Sequence, residues 1–98
     1  MFGPIYGLSR ATNGKESLLT TQKYTARQGQ YLTYIYYYTK VNGIPPAEAD
    51  IQRYFRVSPP SVHQMIITLE KEGLISRAPG RPRSVHVLLP SWDLPPLE

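Results

Sequence analysis

The sequence predicts a mainly α fold, three helices closed by a small β-hairpin, and three observations carry the prediction. Three stretches place apolar residues at helical spacing between recognisable start and stop signals. After the third stretch, at Gly73, the apolar period changes from helical to two. The chain's net charge of +4 falls on the third stretch and the residues around and beyond it.

The 98 residues suit one small domain with one modest core and leave no room for a second, catalytic domain. Residues 53–83 hold Arg53, Arg56, Lys71, Arg77, Arg81 and Arg83 against Glu70 and Glu72, which accounts for the whole surplus; the basic and acidic side chains elsewhere cancel. A basic segment of this kind favours a polyanionic partner. Without cysteine there is no disulfide framework and no thiolate metal site. No apolar run is long enough to span a bilayer and no signal-peptide pattern opens the chain, so a cytoplasmic protein with no membrane partner is expected.

Residues 1–23 read as a flexible amino-terminal arm, because Gly3, Pro4, Gly7, Asn13 and Gly14 break any periodicity. Arg10 and Lys15 could touch phosphate there, but a merely soluble terminus is the simpler reading. A domain of residues 24–89 comes next, and residues 90–98 form a proline-rich tail. Thr25-Ala26-Arg27-Gln28 is a capping-box pattern that starts a helix running to about Val41 and ending at Asn42-Gly43. Tyr31, Tyr34, Ile35 and Tyr38 share its inner face. A tyrosine nucleophile is the sharper reading of this run, but no cluster of His, Arg or carboxylates accompanies it. Core packing with hydroxyls at the rim explains Tyr31, Tyr34 and Tyr38 better. Tyr36 and Tyr37 point elsewhere, and two outward aromatics side by side are candidates for a protein contact.

Gly43-Ile44-Pro45-Pro46 is a sharp turn, from which Pro46 opens a second helix to about Phe55, with Ala49 and Ile51 or Tyr54 facing inward. Glu48 and Asp50 in its first turn suit the helix dipole. Arg56-Val57 links it to the third helix, which Ser58 caps, Pro59 begins and Gly73 ends. Val62, Ile66 and Leu69 make the buried stripe, with Met65 at its edge. Opposite lie Pro60, Ser61, Gln64, Ile67, Thr68 and Lys71, mostly short or uncharged hydrogen-bonding residues with a cation near the end. Such a face suits base edges in a major groove. Taken alone, a solvated face on an ordinary amphipathic helix is the plainer reading. Two helices joined by so short a turn, the second polar outside, form a helix-turn-helix, in which the second helix enters the groove and the first braces it.

Beyond Gly73, Leu74-Ile75-Ser76-Arg77 reads as a short strand, Ala78-Pro79-Gly80-Arg81-Pro82 as a turn of type II character, and Ser84 to Leu89 as the returning strand. A hairpin placed there is a wing, and the fold class is a winged helix-turn-helix, three helices plus wing. The wing, residues 77–84, carries Arg81 and Arg83 with no acid nearby, and they are expected on phosphate or in a narrow minor groove. Gly-Arg-Pro-Arg is also faintly similar to an AT-hook core, although Pro79 stands where that motif prefers arginine. Solubility and protection of the hairpin tip is the bland alternative. In the tail, Trp92 is expected to fold back on the core and the rest to be irregular.

The pieces Thr25-Ala26-Arg27-Gln28, Gly43-Ile44-Pro45-Pro46, Ala49-Asp50-Ile51, Ser58-Pro59 and Gly73-Leu74-Ile75, in that order, carry a family likeness. From about Thr25 to Leu89 the chain resembles the amino-terminal winged-helix domain of the LexA repressors. The resemblance implies base contacts at the start of the recognition helix, residues 58–72, by position at Ser58, Pro60, Ser61, His63 and Gln64. The family typically has Asn where this chain has Pro60, and acidic residues where it has His63 and Gln64, so a different operator is implied. The turn before Ser58 is one residue shorter. LexA repressors also carry a carboxy-terminal self-cleaving protease domain with a Ser-Lys dyad, which dimerises them. This sequence stops where that domain would begin, so self-cleavage is not expected of it, and dimerisation would have to come from elsewhere or not occur.

Three functional classes compete. In the first the chain is a sequence-specific duplex-DNA-binding transcriptional regulator: Arg53, Arg56, Lys71, Arg77, Arg81 and Arg83 hold phosphate while Ser61, His63 and Gln64 read bases. His63 would let binding rise slightly as pH falls towards its titration range. A homodimer on DNA stays open, any self-association using the Tyr36/Tyr37 face or the amino-terminal arm. In the second class the winged helix is a protein-interaction module anchored by Tyr36 and Tyr37; clustering of charge on one segment favours DNA instead. The third class, an enzyme or metalloprotein, ranks last. His63 and His86 are the only histidines and lie on different elements, no carboxylate pair stands at ligand spacing, and there is no phosphate-binding loop. No cofactor, metal or small-molecule substrate is therefore expected.

Overall fold

The computed structural model describes residues 23–98. Apart from Lys23, the expected arm with Arg10 and Lys15 lies outside the described residues. Three helices, α1 (Ala26–Asn42), α2 (Glu48–Phe55) and α3 (Pro59–Lys71), precede a two-stranded antiparallel hairpin, β1 (Ile75–Ser76) and β2 (His86–Val87), and a 3-10 turn at Ser91–Asp93.

Local chemistry sets most of the boundaries. The Gln28 amide donates to Thr25 Oγ1 at 3.1 Å and the Thr25 amide to Gln28 Oε1 at 2.9 Å, a complete capping box. Gly43, at φ +77°, closes α1 by donating to the Thr39 carbonyl. At the end of α3 the Gly73 amide donates to Glu70 O and the Leu74 amide to Leu69 O, the paired bonds of a Schellman closure with Gly73 left-handed.

The second helix begins later than expected. Pro45 and Pro46 are buried, and Ala47 stays extended as the cap, so the turn takes up Pro46 and the helix starts at Glu48. Ala47 has no side-chain acceptor; instead Asp50 Oδ2 accepts from its amide at 2.9 Å. Ala49 is exposed and Tyr54 is 44% exposed, leaving Ile51 as the residue α2 buries. Two positions from Ile51, Ala49 lies about 200° around the helix and therefore faces out when Ile51 is buried.

Tyr31, Leu32 and Ile35 from α1, Ile51 from α2, Val62, Ile66 and Leu69 from α3, and Leu74, Ile75 and Val85 from the wing form one core. Burying side chains of this size contributes about 1.5–3 kcal/mol each, the main stabilising term. Aromatic stacking extends the core to the rim: Tyr31 lies parallel to Phe55 at 4.4 Å, and Tyr34 stacks on Tyr54 at 4.4 Å. Tyr34 and Tyr38 are half-buried rather than core.

The strands are shorter than the alternation predicts. Ile75 pairs with Val87 and Ser76 with His86, and the Leu88 amide adds one bond to Leu74 O. Arg77 leaves the ladder to meet Glu70, while the Ser84 hydroxyl accepts from the Ala78 amide at 3.0 Å and donates to the Arg81 carbonyl of the turn at 2.8 Å. At the tip the Arg81 amide donates to Ala78 O with Gly80 at φ +72°, the expected type II turn.

The tail also differs from expectation. Trp92 is 83% exposed and does not fold back. The 3-10 turn points it outward and presents Leu94 to the core instead. The segment then straps α1: the Tyr24 hydroxyl donates to Asp93 O, Thr33 Oγ1 to Pro95 O at 2.8 Å, Gln30 Nε2 to Pro96 O at 2.9 Å, and the Glu98 amide to Gln30 Oε1 at 2.8 Å. Gly29 makes the close approach possible, because a Cβ there would stand 2.9 Å from Pro95 Cγ.

Candidate nucleic-acid interface

The candidate surface is built from α3. Ser58 Oγ accepts from the Ser61 amide at 3.3 Å and lies 2.9 Å from Ser61 Oγ, so both hydroxyls are tied into the cap. Pro59 and Pro60 fill the first helical positions, where a missing amide proton leaves nothing unsatisfied. With Val62, Ile66 and Leu69 buried, the 100° step puts Pro60, Gln64, Ile67 and Lys71 along the middle of the opposite face. Ser61 and Thr68 lie on one flank, His63 and Glu70 on the other. Pro60, Ser61, His63, Gln64 and Lys71 are exposed; Ile67 and Thr68 are half-buried. The Thr68 hydroxyl donates back to Gln64 O at 2.9 Å, so its proton is already engaged within the helix.

Each flank meets another element. Ser61, Gln64 and Thr68 share a shallow groove with Thr25 and Gln28, the start of α1, and Gln28 Nε2 ties α1 to Glu72 Oε1 at 3.2 Å. On the other flank a groove of about 450 Å3 separates α2 and α3 from the wing turn, with Ile51, Ile66 and Val85 as floor and Glu48, His63, Arg77 and Arg81 on its rim. His63 Nδ1 faces both carboxylate oxygens of Glu48 at 3.4 Å.

The basic residues divide into held and unheld. Arg83, expected to reach outward from the tip, is turned inward at φ +54°: its Nη1 contacts Asp50 Oδ2 at 3.2 Å, Tyr38 Oη at 3.1 Å and Pro45 O at 3.3 Å. It ties the wing to α1 and α2, and the Tyr38 hydroxyl first and then the Asp50 carboxylate raise its pKa. Asp50 is held below the usual carboxylate range chiefly by the Ala47 amide, with Arg83 and Arg53 adding to the effect against burial. Arg53 pairs with Asp50 Oδ1 at 2.7 Å but stays 73% exposed. Arg77 Nε donates to Glu70 Oε1 at 2.9 Å, and its Nη1 is 4.0 Å from Glu48 Oε2. Among the described residues, Arg56, Lys71 and Arg81 enter none of the ion pairs.

The outward pair on α1 is unequal. Tyr37 is 51% exposed, whereas Tyr36 is half-buried beside His86 and Val87 of β2, with Lys40 5.7 Å from its ring centroid; the two rings meet edge to face. Among the described residues there is no group of three or more His, Cys, Asp or Glu that could hold a metal, and no helix is long and apolar enough to cross a membrane.

Sequence reasoning missed Glu48, Asp50, Ser84 and the start of α1 as parts of this surface. One of these had a signal: Asp50 stands three residues after Ala47, the spacing at which an acid reaches back to cap. The contacts of Glu48 with His63 and of Asp50 with Arg83 join separate elements and leave no local pattern.

A family model for the LexA DNA binding domain matches residues 21–84. The chain is 38% identical over 63 residues to the LexA repressor of Thermotoga neapolitana, covering 64% of this chain and 32% of that protein. It is 40% identical over 63 residues to the LexA repressor of Thermotoga petrophila, with coverage of 64% and 32%. With the LexA repressor of Exiguobacterium sibiricum it shares 38% identity over 69 residues, 69% of this chain and 34% of that one. The chain thus spans about a third of the length of the curated relatives it matches.

Proposed function

We propose, because the chain belongs to the LexA DNA-binding domain family, that it is a sequence-specific duplex-DNA-binding transcriptional regulator. The observation that carries this reading is the outer face of α3: a capped, core-anchored helix whose Pro60, Ser61, His63, Gln64 and Lys71 are all exposed, beside a wing tip bearing Arg81. A rigid helix with amide and hydroxyl groups outward has the size and chemistry to enter a major groove. Gln64 and Ser61 read base edges, and Pro60 with Ile67 offers apolar contact to a thymine methyl. Lys71, Arg81, Arg56 and the exposed arm of Arg53 hold phosphate and set register. Ser58 serves as the cap, and Arg77 and Arg83 hold the wing. Two copies meet on DNA through Tyr37 and its neighbour Tyr36; sedimentation that shows only monomer at high micromolar concentration, with and without DNA, ends that part of the proposal.

Selection from random duplex DNA, followed by titration of the winner and of a random duplex at two salt concentrations, tests the reading. An enriched motif bound far more tightly than random duplex is the expected result, and a two-fold symmetric motif is expected of a dimer. Enrichment of nothing, with a steep salt slope, would mean that only the backbone is bound and would overturn sequence-specific reading.

A further inference from the structure

The contact between His63 and Glu48 has a consequence for base reading that rests on the DNA-binding proposal above. Glu48 stands in the first turn of α2 and places both carboxylate oxygens 3.4 Å from His63 Nδ1. Arg77, leaving β1, sits behind that carboxylate at 4.0 Å and is itself held by Glu70 of α3. Arg81 and Arg83 of the wing turn border the same groove, and Arg83 is committed to Asp50. The carboxylate is therefore the group directly facing the ring nitrogen.

We propose that His63 is a specificity-determining residue whose readout depends on its protonation, with Glu48 as the positioning residue that selects its tautomer. A lone pair on Nδ1 would face two carboxylate oxygens and be repelled; a proton on Nδ1 is attracted. The neutral ring therefore carries its proton on Nδ1, and Nε2, on the far side of the ring from Glu48, is an acceptor. His63 is 58% exposed on the flank of the reading face, so its ring, held at Nδ1 by Glu48, has Nε2 left to meet a base edge. As an acceptor, Nε2 takes a hydrogen bond from the amino group of cytosine or adenine. Once protonated, the same nitrogen is a donor and suits O6 or N7 of guanine. One base pair of the operator is thus read with opposite preference on the two sides of the imidazole titration range.

The test pairs spectroscopy with selection, using the whole chain. Nitrogen-15 spectra of the histidine rings at about pH 8, where imidazole is neutral, report the tautomer directly. The wild type is expected to carry the proton on Nδ1, and Glu48→Ala is expected to revert to the Nε2–H form that free imidazole side chains favour in water. Duplex selection at about pH 8 and about pH 5 should then yield two motifs that differ at one base pair, amino-bearing at the higher pH and guanine at the lower. His63→Ala should lose roughly fivefold or more of the discrimination at that pair. Glu48→Ala should lose the amino-base preference at the higher pH. An Nε2–H tautomer in the wild type overturns the inference without reference to DNA. A motif that enriches but is identical at both pH values overturns it while leaving the DNA-binding proposal standing; no motif at either pH brings down both.

Discussion

Replacing Asp50 by alanine should lower the thermal midpoint by roughly 5–15 °C at neutral pH, the shift expected of about 1–2 kcal/mol in a domain of this size. The magnitude comes from the groups the carboxylate holds. Its bond to the Ala47 amide, at 2.9 Å, caps α2 from within and contributes about 1 kcal/mol. Its pair with Arg53, at 2.7 Å but with the guanidinium 73% exposed, adds a few tenths to about 0.5 kcal/mol. Arg83 keeps Tyr38 Oη and Pro45 O as partners, so the wing stays tethered and the domain stays folded. Asp50→Asn, which leaves an acceptor for the cap but removes the charge, should fall between wild type and alanine. The carboxyl is held below its ordinary value of 3.8, so its contribution is present above the ordinary carboxylate range and is lost as pH falls through that range towards the lower folded value. The assay is thermal unfolding by circular dichroism at about pH 7 and about pH 3, wild type against both variants, where the gap should narrow in acid. An equal gap at both pH values would refute the ionic part of the reasoning, and no gap at neutral pH would refute the cap.

Other outcomes are expected from the same geometry. Gln64→Ala should lower affinity for the selected site by about 1–3 kcal/mol and barely change binding to random duplex, whereas Arg81→Ala should weaken both and flatten the salt slope by about one unit; filter or fluorescence titrations separate them. Arg83→Ala, unlike Arg81→Ala, should lower the thermal midpoint and speed proteolysis within residues 77–85, because Arg83 ties the wing to Tyr38 of α1 and Asp50 of α2, whereas Arg81 enters no ion pair among the described residues. Gly29→Ala should gain about 1 kcal/mol of helix propensity yet displace the tail, seen as faster hydrogen exchange at the Glu98 amide, because its Cβ would stand 2.9 Å from Pro95 Cγ. Ile66→Ala, at 2% exposed, should lower the urea-unfolding free energy by about 2–5 kcal/mol.

The elements legible in the sequence were those whose signals are local. Thr25 with Gln28, Gly43, Ser58 with Pro59, Gly73 and Pro79-Gly80 each act through bonds or backbone preferences within a few residues, and all five stand where their spacing placed them. The start of α2 is not fixed by local signals, because Pro46 suits a first helical turn and an extended turn equally; its burial decides between them. The outer face of α3 was legible from periodicity, since Val62, Ile66 and Leu69 leave only one side for the polar residues.

Partners distant in the chain were not legible. Arg83 reads as a free wing-tip cation, but it meets Tyr38 across a separation of 45 residues and Pro45 across 38. His63 reads as a base contact, but nothing local shows that Glu48, on another helix, stands at its Nδ1. Trp92 reads as the residue of the tail most in need of burial, yet a 3-10 turn leaves it in solvent and docks Leu94 and Pro95. Caps, glycine turns and apolar periodicity act within one or two helical turns, so the ends of the helices and of the wing turn are set by near neighbours and can be read along the chain. Which cations enter no ion pair among the described residues, as with Lys71 and Arg81, and which become tethers, as Arg83 does, is settled by core packing. An ion pair exists only where that packing brings its two ends together.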